Sequence, residues 1–271
     1  MQDRRFLHLG RMLLAVPADA ELVEFSATIG GVDLEELELG DSSPEAGYLA
    51  WMQVSEQARE VSGFDEVTVD ERFWIAFYGV SEPRVIALAQ CEDSGLLLSA
   101  SATEWEDAVP RVHDLRRRYA LSSAEPAAAF GLGRGLLELP PERPEEVVAQ
   151  LARAQGWSLS LTTCAVAIPS PSNYEGLRAG LLASATPERR PFVHAAPRSC
   201  GSLQGEELHI ELLGEELPTY QMTWRTPGQA HDPANPEIEL ELTVRGATLE
   251  RAQDLWRQVI EGSRLALEQV Q

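Results

Sequence analysis

The sequence contains no lysine. All 22 basic side chains are arginine and stand against 43 acidic ones, a formal net charge of −21 at pH 7. Nucleic acid and anionic membrane surfaces both demand a basic face, so this balance excludes them and points instead to a basic protein partner. Cysteine is nearly as scarce. Cys91, Cys164 and Cys200 are too few and too scattered for a disulfide scaffold or a paired Cys-x-x-Cys zinc site. They read first as small buried hydrophobes, with a Cys164–Cys200 bridge left open for an oxidising compartment. Long apolar runs are missing too, and nothing approaches the roughly 20 residues of a membrane-spanning helix. Met12 to Val16 is too short and too broken for the core of a signal peptide. That leaves two expectations, a cytoplasmic protein or an exported one whose signal has been removed.

With 44% hydrophobic residues over 271 positions, the chain can bury a real core. The expected fold class is α+β, in two domains, each an antiparallel sheet with amphipathic helices packed on one face. Short strands are expected at Arg11–Val16, Leu22–Thr28 and Val32–Leu39, and a helix at Pro44–Val61 behind an N-cap at Ser43. Phe73–Tyr78, Arg84–Gln90 and Leu96–Ala100 read as strands, followed by a helix over Thr103–Tyr119 that contains Pro110. The small, Ala-rich stretch Ser122–Ala129 marks the domain boundary, giving domains 1–124 and 125–271. Beyond it the pattern predicts a strand at Phe130–Leu137, a short helix at Glu145–Ala154 and a strand at Trp157–Ile168. A helix at Tyr174–Ala183 and strands at Glu207–Leu213, Thr219–Arg225 and Glu237–Val244 follow. Thr248 caps a last amphipathic helix that carries Trp256 and runs on through Leu267 to the C-terminus.

Catalytic patterns are missing. There is no Gly-x-Ser-x-Gly elbow for a serine hydrolase. His8, His113, His194, His209 and His231 are spread along the chain with no pair at helical spacing, so no metal is expected. Gly131-Leu132-Gly133-Arg134-Gly135 lacks the Gly-Lys-Ser/Thr of a phosphate loop and reads as glycines of an edge strand or bulge. The paired acids Glu35-Glu36, Glu206-Glu207 and Glu215-Glu216 and the run Arg116–Arg118 read as solvated charge. No cofactor and no enzymatic role are expected.

A family pattern emerges in the C-terminal half. Gly205-Glu206-Glu207-Leu208 leads to Tyr220-Gln221-Met222-Thr223-Trp224-Arg225-Thr226-Pro227-Gly228, then to Pro236-Glu237-Ile238-Glu239-Leu240-Glu241-Leu242 and a closing helix with Leu255-Trp256. Near the start stands Gly10-Arg11-Met12-Leu13-Leu14-Ala15-Val16-Pro17, and Phe130 to Leu137 supplies a glycine-containing strand. In this order the segments resemble the immunity proteins paired with type VI secretion lipase effectors. The departures are Leu7-His8-Leu9 where a cysteine often precedes the Gly-Arg motif, and Arg225 where an acid is common after the tryptophan.

The resemblance implies a stoichiometric inhibitor, monomeric when free and resident in the periplasm, that clamps a phospholipase and blocks access to its active site. The alternative is a non-inhibitory adaptor or chaperone of the same secretion apparatus. Trp224 and Trp256 are expected as core anchors and Pro227-Gly228 as a turn. For the contact face the candidates are charged loop positions, namely Asp41, Glu45, Glu92, Asp93, Asn173, Tyr174, Glu175, Glu215 and Glu216. Tyr174 is the aromatic among them, and aromatic anchors are enriched at interface hot spots.

Overall fold

The structure is a computed structural model. It describes residues 4–38, 64–70, 73–78, 84–91, 94–101, 105–121, 129–133, 135–138, 145–153, 156–164, 174–184, 192–230, 232 and 235–266. The helix expected over Pro44–Val61 and the linker Ser122–Ala129, apart from Ala129 itself, lie outside the described residues.

The chain opens with strands β1 (Arg4–Gly10), β2 (Met12–Pro17), β3 (Glu21–Ile29) and β4 (Val32–Glu38). Next come β5 (Phe64–Asp70), β6 (Phe73–Tyr78), β7 (Arg84–Cys91), β8 (Ser94–Ser101) and helix α1 (Trp105–Arg118). β9 (Tyr119–Leu121), β10 (Ala129–Leu132), β11 (Gly135–Glu138), β12 (Glu145–Arg153) and β13 (Trp157–Cys164) precede helix α2 (Tyr174–Ser184). The chain finishes with β14 (Val193–Cys200), β15 (Leu203–Leu212), β16 (Thr219–Thr226), β17 (Glu237–Arg245), helix α3 (Leu249–Gly262) and β18 (Arg264–Leu265). The secondary structure is α+β and rich in antiparallel sheet.

Two compact units divide the chain, and neither is a continuous half. One comprises Met1–Phe25 together with Pro144–Gln271; the other is Ser26–Arg143. A cut at residue 124 assigns the first strands to the opposite unit from the one in which they pack.

In the first unit β14-β15-β16-β17-β13-β12 form one antiparallel run. Their alternation puts Val147, Ala149 and Leu151 of β12, Leu159 and Leu161 of β13, and Ile238, Leu240 and Leu242 of β17 on one buried face. Met222 and Trp224 continue it on β16. Helix α3 buries Ala252, Trp256, Val259 and Ile260 in the same core, and its cap is Thr248, whose side chain accepts from the Arg251 N–H. Leu9, Met12, Leu14 and Val16 of the β1–β2 hairpin complete that core from the other end of the chain.

Two sequence expectations are overturned here. Where a helix is expected over Glu145–Ala154, Glu145–Arg153 is a strand: Val147, Ala149 and Leu151 alternate with exposed Glu146, Val148 and Gln150, and pairing with β13 overrides the helical preference of its Ala, Glu and Gln. The last helix stops at Gly262 instead of running on to the C-terminus. Ser263 turns extended and returns its N–H to the Val259 carbonyl, after which Arg264 and Leu265 pair with Leu13 and Met12 of β2. Gly262 is needed at that stop, because a Cβ there would collide with the Ala15 side chain. Strands β1, β5 and β14 have no counterpart in the sequence reading. β14 holds Pro197, which a sheet tolerates only at its edge, and β14 is the end strand of the run.

In the second unit β4-β8-β7-β6-β5 form an antiparallel run and β10-β11-β9 a smaller one. The single strand expected at Phe130–Leu137 is a hairpin, folded at Gly133 with φ 102°. Helix α1 continues through Pro110 and buries Val112 and Leu115. Tyr119 Oη donates to Glu36 Oε1 at 3.0 Å.

The first unit's buried ion pair joins sequence-distant pieces. Arg11, in the turn between β1 and β2, places Nε and Nη2 on the two carboxylate oxygens of Glu145 at 2.9 and 2.5 Å, with both side chains almost wholly buried. Burial pushes the Glu145 carboxyl above its usual range, partly offset by the hydrogen bonds and charge of Arg11. Removing one partner strands a buried charge, which costs about 3–5 kcal/mol, whereas an apolar pair of similar volume is often neutral. Urea unfolding is therefore expected to show a large loss for Glu145→Ala and a much smaller one for Arg11→Met combined with Glu145→Leu.

Candidate partner-binding site

The buried face of the first unit does not stay apolar to its edge. Leu161, Leu240, Trp224, Glu207 and Ala196 lie in one row across consecutive strands, and Leu159, Leu242, Met222, His209 and His194 in the next. Each row is hydrocarbon until β15, where it meets Glu207 and His209. Both are buried. Sequence reasoning set His194 and His209 aside because it tested helical spacing. The signal that joins them is strand register, since they are direct partners on β14 and β15. Their rings lie 5.4 Å apart.

Helix α3 closes over this end. Trp256 Nε1 donates to Glu207 Oε2 at 3.1 Å, and the His209 ring meets the indole edge-on with centroids 6.1 Å apart. His209 Nε2 is 3.4 Å from the same oxygen, and His194 Nε2 is 3.9 Å from Oε1. Burial pushes the Glu207 carboxyl upward, but the nearby His209, the Trp256 hydrogen bond and the charge of Arg198 outweigh it and hold the group below its usual range. A cavity of about 380 Å³ remains beside the carboxylate. Phe192, His194 and Arg198 line it from the β14 side, and Gln253 and Arg257 from α3. Among the described residues no group of three His, Cys, Asp or Glu side chains is arranged to hold a metal ion.

Trp224 anchors the same region. It is fully buried, donates from Nε1 to the Arg198 carbonyl at 2.8 Å, and lies so close to Gly205 that a Cβ there would strike both its indole and the Arg225 carbonyl. The Gly-Glu-Glu and tryptophan motifs thus form one cluster in which glycine makes room for the ring and Glu207 holds the second tryptophan. Cys200 is buried, with its thiol donating to the Ser263 carbonyl at 3.6 Å, Cys164 is half-buried, and the two form no disulfide.

The whole architecture has close counterparts among solved structures. The immunity protein TplEi of the T6SS from Pseudomonas aeruginosa, in its apo form, aligns with a TM-score of 0.75 at 15% identity over 97% of both chains. Its complex with the "L" peptide gives 0.77 at 14% identity over 97% of this chain and 98% of that one. The Tle4–Tli4 complex gives 0.76 at 14% identity over the same shares. This chain has the fold of type VI secretion immunity proteins. Neither a protein-family model nor a curated sequence matches it. The fold likeness spans nearly the whole chain, well beyond the segments in which the sequence resembles the immunity proteins.

The structure describes four of the nine contact candidates read from sequence. Asp41, Glu45, Glu92, Asp93 and Asn173 lie outside the described residues. Glu175 is in the first turn of α2. Tyr174 opens that helix half-buried, and its hydroxyl is pushed up to about 12, first by burial and then by Glu239, with Glu206 and Glu241 adding to the rise against Arg225. Tyr174 therefore keeps its proton and remains a donor throughout the physiological range. Arg225 bonds Glu237 at 2.6 Å on the same outer face of the sheet. Glu215 and Glu216 are fully exposed in the loop between β15 and β16, flanked by Leu213 at 50% and Leu217 at 58% exposure. Exposed leucines beside acids make this the best-equipped contact loop among the described candidates.

The lowered Glu207 carboxyl fixes a sign for acid stability. Its contribution is complete above the unfolded value near 4.5 and is lost as pH falls through the lower folded value. Chemical denaturation across acid pH is expected to show a steeper fall for the native protein than for Glu207→Gln, the two curves drawing together at the acid end.

Proposed function

We propose that this chain is an immunity protein that binds a type VI secretion lipase effector one-to-one and blocks its active site, catalysing nothing itself. One observation carries the reading: a fold shared over 97% of the chain with immunity proteins, at TM-scores from 0.75 to 0.77. The Gly-Glu-Glu, tryptophan and Leu-Trp motifs support it, since they are the segments that resemble the lipase-inhibitor family and they form one buried cluster. In this reading each compact unit is an α+β domain with helices on one face of its sheet, and each supplies part of the contact surface. The protein is monomeric until it meets its effector and acts in the periplasm, where such effectors are delivered.

The charge supports the partner's character. At −21 the chain speeds encounter with a basic surface and slows it with an acidic one, an effect felt in the association rate. The loop Leu213–Leu217 and Tyr174 are the proposed contacts outside the motif cluster.

The test is co-expression with a type VI secretion lipase effector sought among the genes beside this one. We expect a stable one-to-one complex, loss of lipase activity at equimolar ratio, and an association rate that falls at least tenfold between low and physiological salt while dissociation barely changes. A complex that leaves lipase activity intact would make the protein an adaptor, and failure to bind would remove the lipase from the proposal.

A further inference from the structure

The cavity under α3 has an unusual charge inventory. Arg198 is paired with Glu261 at 3.0 Å and Arg257 with Asp254 at 2.9 Å, so both rim cations already hold a carboxylate. Among the described residues Glu207 is the third carboxylate against these two arginines, which leaves one negative charge in excess of them. Its bonding is one-sided. Trp256 and His209 both approach Oε2, whereas among the described residues Oε1 has His194 at 3.9 Å. An ionised carboxylate accepts about four hydrogen bonds, so Oε1 retains capacity toward the cavity. The entrance is negotiable, because His194 is about half exposed and Arg257 lies on the solvent side.

We propose that this cavity receives an arginine side chain of the basic protein partner, deepening the reading above and resting on it. A guanidinium brings several donors in a planar fork, enough to reach Oε1 and still face an aromatic wall. Phe192 and Trp256 provide that wall, and a cation over an aromatic face gains further attraction once water is excluded. An acidic group fits the cavity poorly. It would face the excess charge of Glu207 inside a chain whose net charge is −21. Arginine is also among the residues most enriched at interface hot spots, which lie in desolvated pockets of this kind.

The experiment needs no toxin, so its failure is separable from failure of the lipase assignment. The isotopically labelled full chain is titrated with acetyl-Gly-Arg-Gly-amide and with acetyl-Gly-Glu-Gly-amide while the assigned indole N–H signal of Trp256 is followed. The arginine peptide is expected to shift that signal saturably and the glutamate peptide to leave it in place. Glu207→Gln should weaken the arginine titration about tenfold or more, and Glu24→Gln, an exposed acid on β3, should not change it. If Glu207→Gln loses its dispersed spectrum, Gln253→Trp serves instead, filling the cavity from α3 and abolishing the shift. No shift with the arginine peptide, an equal shift with the glutamate peptide, or a titration insensitive to Gln253→Trp overturns the proposal.

Discussion

The two ends of the sequence make a single core, and the first unit depends on that closure. Leu9, Met12, Leu14 and Val16 share a buried cluster with Trp224, Leu240 and Trp256, more than two hundred positions away. Polar links reinforce it. Arg11 holds Glu145, the Ala15 N–H donates to Ser263 Oγ at 3.1 Å, and β18 adds to β2. The closure accounts for two parts of the family pattern, while the third, Phe130–Leu137, lies in the other unit. Gly10–Pro17 and the motifs after Gly205 are far apart in sequence, yet they belong to one compact unit and answer to one packing problem.

Much of the fold was readable from the residues because local pattern and final environment agree. β16 and β17 alternate apolar and polar side chains on a sheet with one buried face, and α3 carries an N-cap and an amphipathic stripe. Reading failed where a distant partner decides. β12 is composed like a helix and becomes a strand because β13 offers it a ladder and the core takes Val147, Ala149 and Leu151. The stop at Gly262 likewise comes from β2, whose sequence gives no sign of what will join it. The linker at Ser122–Ala129 looked like a domain boundary on composition, but composition cannot reveal that the first 25 residues pack with the last 128.

The site was less legible than the fold. Histidines fifteen residues apart carry no local signal, and only the register of β14 on β15 brings them to one carboxylate. Glu207 reads as solvated charge in the sequence because its pair stands at the end of an expected strand. The sheet separates the two: Glu206 faces outward with Arg225, and Glu207 turns inward to Trp256. Adjacent acids on a strand always point to opposite faces, so a Glu-Glu pair there is two different residues chemically.

The return of the last strand to the first hairpin also sets an order of events in synthesis. β2 leaves the ribosome early, and its partner β18 is separated from it by almost the entire chain. The Ser26–Arg143 unit contains ladders of its own, complete once β11 has been made. The other unit must keep Met12, Leu14 and Val16 uncovered until α3 and β18 arrive, a long exposure of apolar strand. Completion of that core thus waits for β18, and a chain cut short before Arg264 would leave β2 with an open edge.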